Sequence, residues 1–167
     1  MDSKEHERVV VRRLRPDDLK AVIALDARIV GRQREEYFKV KLAQALSNTG
    51  VQVSLAAELG GLFAGFLLAR VYYGEFGSVE QVAVLDTLGV EPSLGGAGVG
   101  HALLGQLRTN LLGLGIPVLQ TEVAWAQHQL LSFFHHAGFA PAARFCLDLD
   151  LRAAQRREER KESLAHT

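Results

Sequence analysis

Four glycines fall within six residues, at positions 95, 96, 98 and 100. The segment before them, 80–91, is apolar and typical of a buried strand, whereas residues 99–114 carry apolar side chains at helical spacing. Where a strand leads through a glycine loop into a helix, unpaired backbone N–H groups meet the positive end of the helix dipole. The sequence therefore predicts an α/β fold with an anion-binding loop at residues 95–100.

The rest of the chain alternates between strand and helix patterns. Apolar and β-branched residues predict a first strand at 9–14, followed by two helices that Gly31 separates. A period of two at 51–59, followed by the turn residues Gly60-Gly61 and a second strand at 62–73, predicts an antiparallel hairpin. Three further elements precede a charged tail: a strand at 117–123, a helix at 127–137 and a final strand at 139–151.

Composition limits the partners that this chain can have. Its 167 residues suffice for one domain, which we place at 8–151, between an N-terminal tail at 1–7 and a charged extension at 152–167. Equal numbers of basic and acidic residues, 19 each, make a nucleic-acid partner unexpected. The sequence shows no apolar run long enough for a membrane span and no histidine or cysteine cluster with metal-ligand spacing. The single cysteine, Cys146, favours a cytoplasmic location.

Two common phosphate-binding motifs do not fit the glycine loop. A P-loop ends in Gly-Lys-Ser/Thr, and no lysine follows these glycines. A dinucleotide-binding loop requires Gly-x-Gly-x-x-Gly, but its last position is His101 when counted from Gly96 and Leu103 when counted from Gly98. The loop therefore belongs to another class.

The loop resembles the acyl-CoA loop of the GNAT superfamily of N-acetyltransferases, which follows the pattern Arg/Gln-x-x-Gly-x-Gly/Ala after a strand ending in Val-x-Pro. The resemblance implies a mixed α+β fold, with a twisted mixed sheet of six or seven strands flanked by four helices, and acetyl-CoA as the cofactor. It extends over about residues 8–151 in the order of elements. Its matching segments are Val90 to Gly100, Arg15-Pro16-Asp17-Asp18-Leu19, Gly65-Phe66 and Gly138-Phe139.

The resemblance also assigns residues to acetyl-CoA. It implies that the strand backbone before the loop holds the pantetheine arm, that the loop holds the pyrophosphate, and that Gln127 contacts the arm where the family commonly has asparagine. Two positions depart from the family, since Gly95 replaces Arg or Gln and Phe134 replaces a tyrosine that protonates the departing thiolate. The implied cofactor-binding residues are Leu88, Gly89, Val90, Gly95, Gly96, Ala97, Gly98, Val99, Gly100, His101, Gln127 and Phe134.

Asp86 is the candidate catalytic base. It interrupts an apolar run, where an unpaired carboxylate would be costly to bury. By resemblance it occupies a position where several family members keep a general base, which implies a role as base or in positioning water. The alternative is a carboxylate bonded to local N–H groups at a strand kink. Tyr72 or Tyr73, at the end of the third strand, is the candidate substitute for the missing acid.

In the family the acceptor binds between the elbow of the first two helices and the loop after the third strand. There Arg32 and Arg34 can bind a carboxylate or phosphate of the acceptor, and Glu36 and Glu75 can bind an amine. The alternative is that these charged residues only make the elbow soluble in water and bind no acceptor. The implied function is direct acetyl transfer from acetyl-CoA to a primary amine of a small molecule or protein, with a homodimer possible. The two departures leave open a catalytically weak or inactive acyl-CoA-binding regulatory module, or an interaction domain without cofactor.

Overall fold

The structure, a computed structural model, describes residues 8–47, 50–73 and 79–165. The tail predicted at 1–7 lies outside the described residues. Within them the chain forms five β-strands and five α-helices. The strands are β1 (Val10–Arg13), β2 (Leu55–Leu59), β3 (Leu62–Tyr73), β4 (Gln81–Val90) and β5 (Val118–Thr121), and the helices are α1 (Leu19–Val30), α2 (Glu35–Leu46), α3 (Val99–Gly113), α4 (His128–His136) and α5 (Leu151–Ala165).

The chain divides into two compact units, Met1–Leu130 and Leu131–Thr167. The first unit contains a five-stranded sheet in the order β1-β2-β3-β4-β5. The first four strands are antiparallel neighbours, including the predicted hairpin of β2 and β3, whereas β4 and β5 run parallel. A parallel pair requires a crossover connection, and α3 lies in the connection between β4 and β5. The prediction of a mixed α/β fold is therefore confirmed.

Helices α1 and α2 cover one face of this sheet. Gly31 has a φ of 75° and ends α1 in the left-handed conformation that glycine adopts without strain, so the chain can turn into α2. The Phe38 ring meets the Phe66 ring edge to face, with centroids 5.8 Å apart. The buried residues of this core are Leu14, Val22, Leu25, Phe38, Leu42, Ala45, Ala56, Phe66 and Leu68.

Helix α3 lies against the opposite face, close to β3. A Cβ atom at Gly65 would lie 2.9 Å from Val99 Cγ1 and 3.2 Å from Leu103 Cδ1, so glycine permits this approach. Gly89 pairs with Phe66 in the β3–β4 register, and a Cβ atom there would lie 2.6 Å from the Phe66 ring. Close packing on the two faces therefore requires glycine at both positions.

Asp18 ties the first strand to the first helix. Its carboxylate accepts hydrogen bonds of 2.8 Å from both terminal nitrogens of Arg12 and one of 2.7 Å from the Arg15 backbone N–H. Burial raises the pKa of Asp18, but the hydrogen bonds from Arg12 and Arg15 outweigh it and hold the pKa below its ordinary value. The ionised carboxylate is thus the form that stabilises this junction.

The second unit contains most of α4 and all of α5, and no strand occurs among its described residues. The prediction of a final strand at 139–151 was therefore wrong. A period of two predicts an extended chain, but a strand forms only where a neighbouring strand supplies hydrogen-bond partners. Here Phe145 and Leu147 are 94% and 88% exposed. The described residues accordingly form five strands rather than six or seven.

The charged tail, for which the sequence predicts either a helical extension or disorder, forms a fifth helix. Helix α5 begins after Asp150, whose side chain accepts a hydrogen bond of 3.0 Å from the Ala153 backbone N–H. This cap supplies a partner for one of the unpaired N–H groups at the helix start. None of the described helices is both long and apolar enough to cross a membrane.

Candidate active site

The glycine loop connects β4 to α3 through two tight turns. A short 3₁₀ turn at Pro92–Leu94 comes first, and the Ala97 backbone N–H donates to the Leu94 carbonyl at 3.1 Å. Gly96 and Gly98 have φ angles of 81° and 79°, a conformation that other residues adopt only with strain. The loop predicted at 95–100 therefore depends on glycine for its backbone path.

The loop ends at the first turn of α3. Gly98 is the N-cap residue, and no side chain forms a capping hydrogen bond there among the described residues. Val99 and Gly100 are buried beneath this turn, whereas His101 is exposed. Uncapped N–H groups and the helix dipole favour an anion at this point.

Gly95 differs from the other loop glycines in its backbone conformation. Its φ of −53° and ψ of 129° are open to any residue. A Cβ atom there would be in ordinary contact, 3.7 Å from the Pro92 carbonyl oxygen. The loop can therefore accommodate a side chain at Gly95, although this chain places none there.

Strand β4 separates from β5 halfway along its length. The parallel pairing stops at Leu85 and Thr121, where the Thr121 hydroxyl donates to the Leu85 carbonyl at 2.9 Å. Beyond that point, in the part of the chain that the structure describes, Leu88, Gly89 and Val90 pair only with β3. Their other backbone edge is available to an extended ligand, and it leads directly to the glycine loop.

Asp86 is the first residue beyond the point where the two strands separate, and it forms a β-bulge. Leu68 of β3 pairs with Thr87, and the next residue, Ala69, pairs with Leu85, which leaves Asp86 as the extra residue of β4. A bulge turns the side chain of its extra residue and interrupts the ladder locally. The bulge turns Asp86 towards the face that carries α1 and α2.

Arg70 of β3 holds the Asp86 carboxylate on that face. It donates from Nε to Oδ2 at 2.6 Å and from Nη2 to Oδ1 at 2.8 Å. These hydrogen bonds raise the pKa of Arg70, although burial lowers it. The Arg70 guanidinium carbon also lies 5.2 Å from the centre of the Tyr72 ring. Asp86 and Tyr72 therefore share one arginine, whereas Tyr73 lies on the opposite face and is 61% exposed.

The elbow between α1 and α2 contains a second arginine held in the same way. Arg34 donates from Nε and Nη2 to the two carboxylate oxygens of Asp26, at 2.9 and 2.6 Å. These hydrogen bonds raise the pKa of Arg34, although burial lowers it. The guanidinium carbon lies 5.0 Å from the centre of the Tyr37 ring. Arg34 is therefore fixed by its neighbours.

The other predicted acceptor residues are less constrained. Arg32 is exposed. Glu36 is 85% exposed and pairs with Lys39 at 2.9 Å, a surface contact that contributes little. Glu75 lies outside the described residues. The described elbow is therefore ordered mainly by Arg34 and Asp26.

The two remaining predicted cofactor residues lie near and within α4. Gln127 is exposed in the turn before α4, and its backbone N–H donates to the Ala124 carbonyl at 2.9 Å. Phe134 belongs to the second unit, where it is buried and packs against the rings of Phe133 and Phe139, with centroids 5.4 and 4.9 Å away. Phe134 thus fills an aromatic cluster of its own unit.

Sequence reasoning missed Arg70 and Asp26. Arg70 is an arginine within an otherwise apolar strand, at even spacing from Phe66, and therefore lies on the α1 and α2 face. A charged residue at such a position predicts a carboxylate on a neighbouring strand. This signal, applied to Asp86, would have found the pair.

These features suit acetyl-CoA. The free edge of β4 offers hydrogen bonds to the amide groups of a pantetheine arm, and the uncapped start of α3 offers N–H groups to a pyrophosphate. The bulge at Asp86 lies at the far end of the same edge. The described residues therefore fit the cosubstrate that the sequence implies.

Comparison with known proteins gives the family. Residues 19–139, well over half of the chain, match the model of the acetyltransferase (GNAT) family. A transcriptional regulator from Bacillus halodurans C-125 has a similar fold, with a TM-score of 0.72 and 16% identity over 86% of this chain and 100% of that chain.

Two acetyltransferases share the fold as well. The aminoglycoside N-acetyltransferase AAC(6')-Iy, in complex with CoA, gives a TM-score of 0.71 and 16% identity over 86% of this chain and 95% of that chain. The ribosomal-protein-S18-alanine N-acetyltransferase from Escherichia coli gives 0.66 and 22% identity over 81% of this chain and 80% of that chain. By its family match, the protein belongs to the GNAT family of acetyltransferases, whose cosubstrate is acetyl-CoA.

Proposed function

We propose that this protein transfers the acetyl group of acetyl-CoA directly to a primary amine of a small molecule or a protein. The observation that carries the proposal is the free backbone edge of β4, which runs from the bulge at Asp86 to the glycine loop. In this proposal Leu88, Gly89 and Val90 bind the pantetheine arm. The pyrophosphate binds to the backbone of residues 95–101, and Gln127 borders the arm.

When bound, acetyl-CoA supplies a thioester whose C–S bond breaks as the C–N bond to the acceptor forms. Asp86 takes up the proton of the amine, directly or through a water that it positions. Arg70 fixes both oxygens of that carboxylate, which favours the water-positioning form of the role. A backbone N–H of the β4 edge supports the thioester oxygen.

The departing thiolate needs a proton that Phe134 cannot supply. Tyr72 is the better placed of the two candidate tyrosines, because it lies beside the arginine that holds Asp86. Solvent is a sufficient source as well, since a thiol has a pKa of about 8.5. The acceptor binds at the elbow of α1 and α2, with Arg32 and Arg34 facing an anionic group and Glu36 and Glu75 an amine.

Thermal unfolding with and without ligands tests this function. Acetyl-CoA and desulfo-CoA at about 100 times their Kd should add roughly 2.7 kcal/mol of stability, a shift of several degrees, whereas NAD and ATP should not. A panel of primary amines is then screened for release of free CoA thiol. Binding without release for any amine would favour a regulatory module, and no stabilisation at millimolar acetyl-CoA would favour an interaction domain.

We also propose a cytoplasmic location, which the single cysteine supports. A homodimer stays a prediction from the family resemblance. Gel filtration of the purified protein, with light scattering, tests it.

A further inference from the structure

Two ion pairs with the same geometry lie on the α1 and α2 face of the sheet. Asp26 binds Arg34 with contacts of 2.9 and 2.6 Å, and Asp86 binds Arg70 with contacts of 2.6 and 2.8 Å. In each pair the carboxylate takes the Nε and Nη2 edge of the guanidinium. A guanidinium has five N–H donors, so three remain on each arginine for another ligand.

The carboxylate is the deeper partner in both pairs. The Asp26 side chain is 5% exposed and that of Arg34 is 30% exposed. The corresponding values for Asp86 and Arg70 are 14% and 33%. Both guanidinium groups are therefore more exposed than the carboxylates that they bind, and both carboxylates are already engaged.

Aromatic rings and a third cation complete this surface. The ring of Tyr37 has the guanidinium of Arg34 at 5.0 Å from its centre and the ammonium of Lys41 at 5.9 Å. Two cations are thus gathered around Tyr37, and Arg70, at even spacing from Phe66 in β3, lies on the face of the sheet that α1 and α2 cover.

We propose that this surface, formed by Arg34, Tyr37, Lys41, Arg70 and Tyr72, selects acceptor amines that also carry a carboxylate or phosphate group. The proposal rests on the proposed acetyl transfer and names the acceptor class for it. Each arginine is held in place by the carboxylate behind it, so little side-chain freedom is lost when an oxyanion binds. A polycationic acceptor meets like charges and finds no unengaged carboxylate among Asp26 and Asp86.

Matched acceptors test the selection. Lysine is compared with cadaverine, which lacks only the carboxylate, and O-phosphoethanolamine with ethanolamine, while kanamycin serves as a polycation. We expect kcat/KM for thiol release to be at least tenfold higher for the anionic member of a pair. The pair of amines with the larger ratio of kcat/KM values shows whether a carboxylate or a phosphate is preferred. Equal or higher values for cadaverine, ethanolamine or kanamycin would overturn the proposal.

Variants of the two arginines locate the selection on this surface. In Arg34→Gln and Arg70→Gln the KM of the preferred anionic acceptor should rise at least tenfold. The kcat should change little in Arg34→Gln, whereas Arg70→Gln also releases the Asp86 carboxylate and should lower kcat. Arg108→Gln, on the exposed side of α3, is the matched control and should keep the preference. Because Arg34→Gln leaves a buried carboxylate unpaired, the double variant Asp26→Asn/Arg34→Gln provides a second test with the same expected loss. Unchanged KM in all of these variants would contradict the proposal.

Acetyl-CoA binding separates this inference from the proposed function. Titration with desulfo-CoA should give the same Kd for the wild type and for all of these variants. If no ligand binds, or if no amine releases thiol, the proposed function fails. If transfer occurs without preference for the anionic amines, the function stands and only the acceptor class is wrong.

Discussion

Arg70 on β3 and Asp86 on β4 form a two-point ion pair across a β-bulge, with both contacts at 2.8 Å or less. The pair lies where β4 loses its second neighbour, so it marks the end of the β4–β5 pairing and the start of the proposed ligand-binding edge. Two hydrogen bonds to one carboxylate fix the orientation of that group. This geometry makes Asp86 the residue whose replacement is most informative for catalysis.

Asp86→Asn keeps the size of the side chain but removes the group that we propose takes up a proton. We expect kcat/KM for acetyl transfer to fall about 100-fold, at the lower end of what a positioned acid or base contributes. The Kd of acetyl-CoA should remain within twofold of the wild type. Steady-state kinetics from pH 6 to 10 and a ligand titration measure the two quantities. An unchanged kcat/KM across this range would show that Asp86 does not handle the proton.

Gly95→Arg introduces the cation that the family commonly has in this loop. The backbone conformation of Gly95 accepts a side chain, and the space around it is open. Acetyl-CoA should bind about fivefold more tightly, a gain of about 1 kcal/mol that 0.5 M salt reduces. S-acetylpantetheine, which lacks the pyrophosphate, is the control and should bind equally to both proteins. A gain for both ligands would show that the loop does not contact the pyrophosphate.

Gly96→Ala tests the left-handed turn of the loop. Its φ of 81° should make alanine unfavourable by about 1 to 2 kcal/mol, although no atom lies within 4 Å of the added carbon. We expect weaker acetyl-CoA binding and a lower free energy of unfolding in urea.

Gly105→Ala is the matched control for this loop variant. Gly105 is an exposed residue within α3, and open space also surrounds it. Alanine there should raise the free energy of unfolding by about 0.5 to 1 kcal/mol and leave acetyl-CoA affinity unchanged. The same response from both variants would mean that the loop conformation has no part in binding.

Asp18→Asn removes the charge that joins β1 to α1. Because the native pKa of Asp18 lies below its ordinary value, the carboxylate stabilises the fold above that ordinary value. The stabilisation is lost as the pH falls through the native pKa. At pH 7 the variant should be less stable by about 2 kcal/mol, as expected for hydrogen bonds between charged groups.

Urea unfolding at pH 7 and at pH 3 measures this pH dependence. The difference between wild type and Asp18→Asn should be smaller at pH 3. Asp17→Asn, at the exposed neighbouring position, should change stability by less than about 0.5 kcal/mol at either pH. A difference of equal size at both values would show that the charge of Asp18 is not what stabilises the junction.

Local patterns predicted much of the fold. The strand at 62–73 has the bounds that the sequence predicts after the Gly60-Gly61 turn, and α3 begins at Val99, directly after the glycines. The first strand of the hairpin begins at Leu55 rather than Val51, because pairing depends on the neighbouring strands as well as on alternation. The same limitation explains the wrong prediction of a strand at 139–151.

Less of the candidate site than of the fold could be predicted from the sequence. The glycine loop is a local feature, and its residues could be named in advance. The Arg70–Asp86 pair depends on the register of two strands and on a bulge that alternation does not reveal. The Arg34–Asp26 pair depends likewise on how two helices meet at an elbow. Contacts of this kind arise from tertiary structure.

Asp86 and Gly89 are separated by three positions, an odd number that places two residues on opposite sides of a regular strand. Both nevertheless lie on the same side of the sheet, since Asp86 binds Arg70 and Gly89 leaves space for the Phe66 ring. The extra residue in β4 reverses the alternation of side chains between these two positions. An insertion or deletion of one residue that restored regular alternation in β4 would move either the Asp86 carboxylate or Gly89 to the other face of the sheet. The Arg70–Asp86 ion pair and the Gly89–Phe66 contact are therefore kept on one side of the sheet by a single bulge residue.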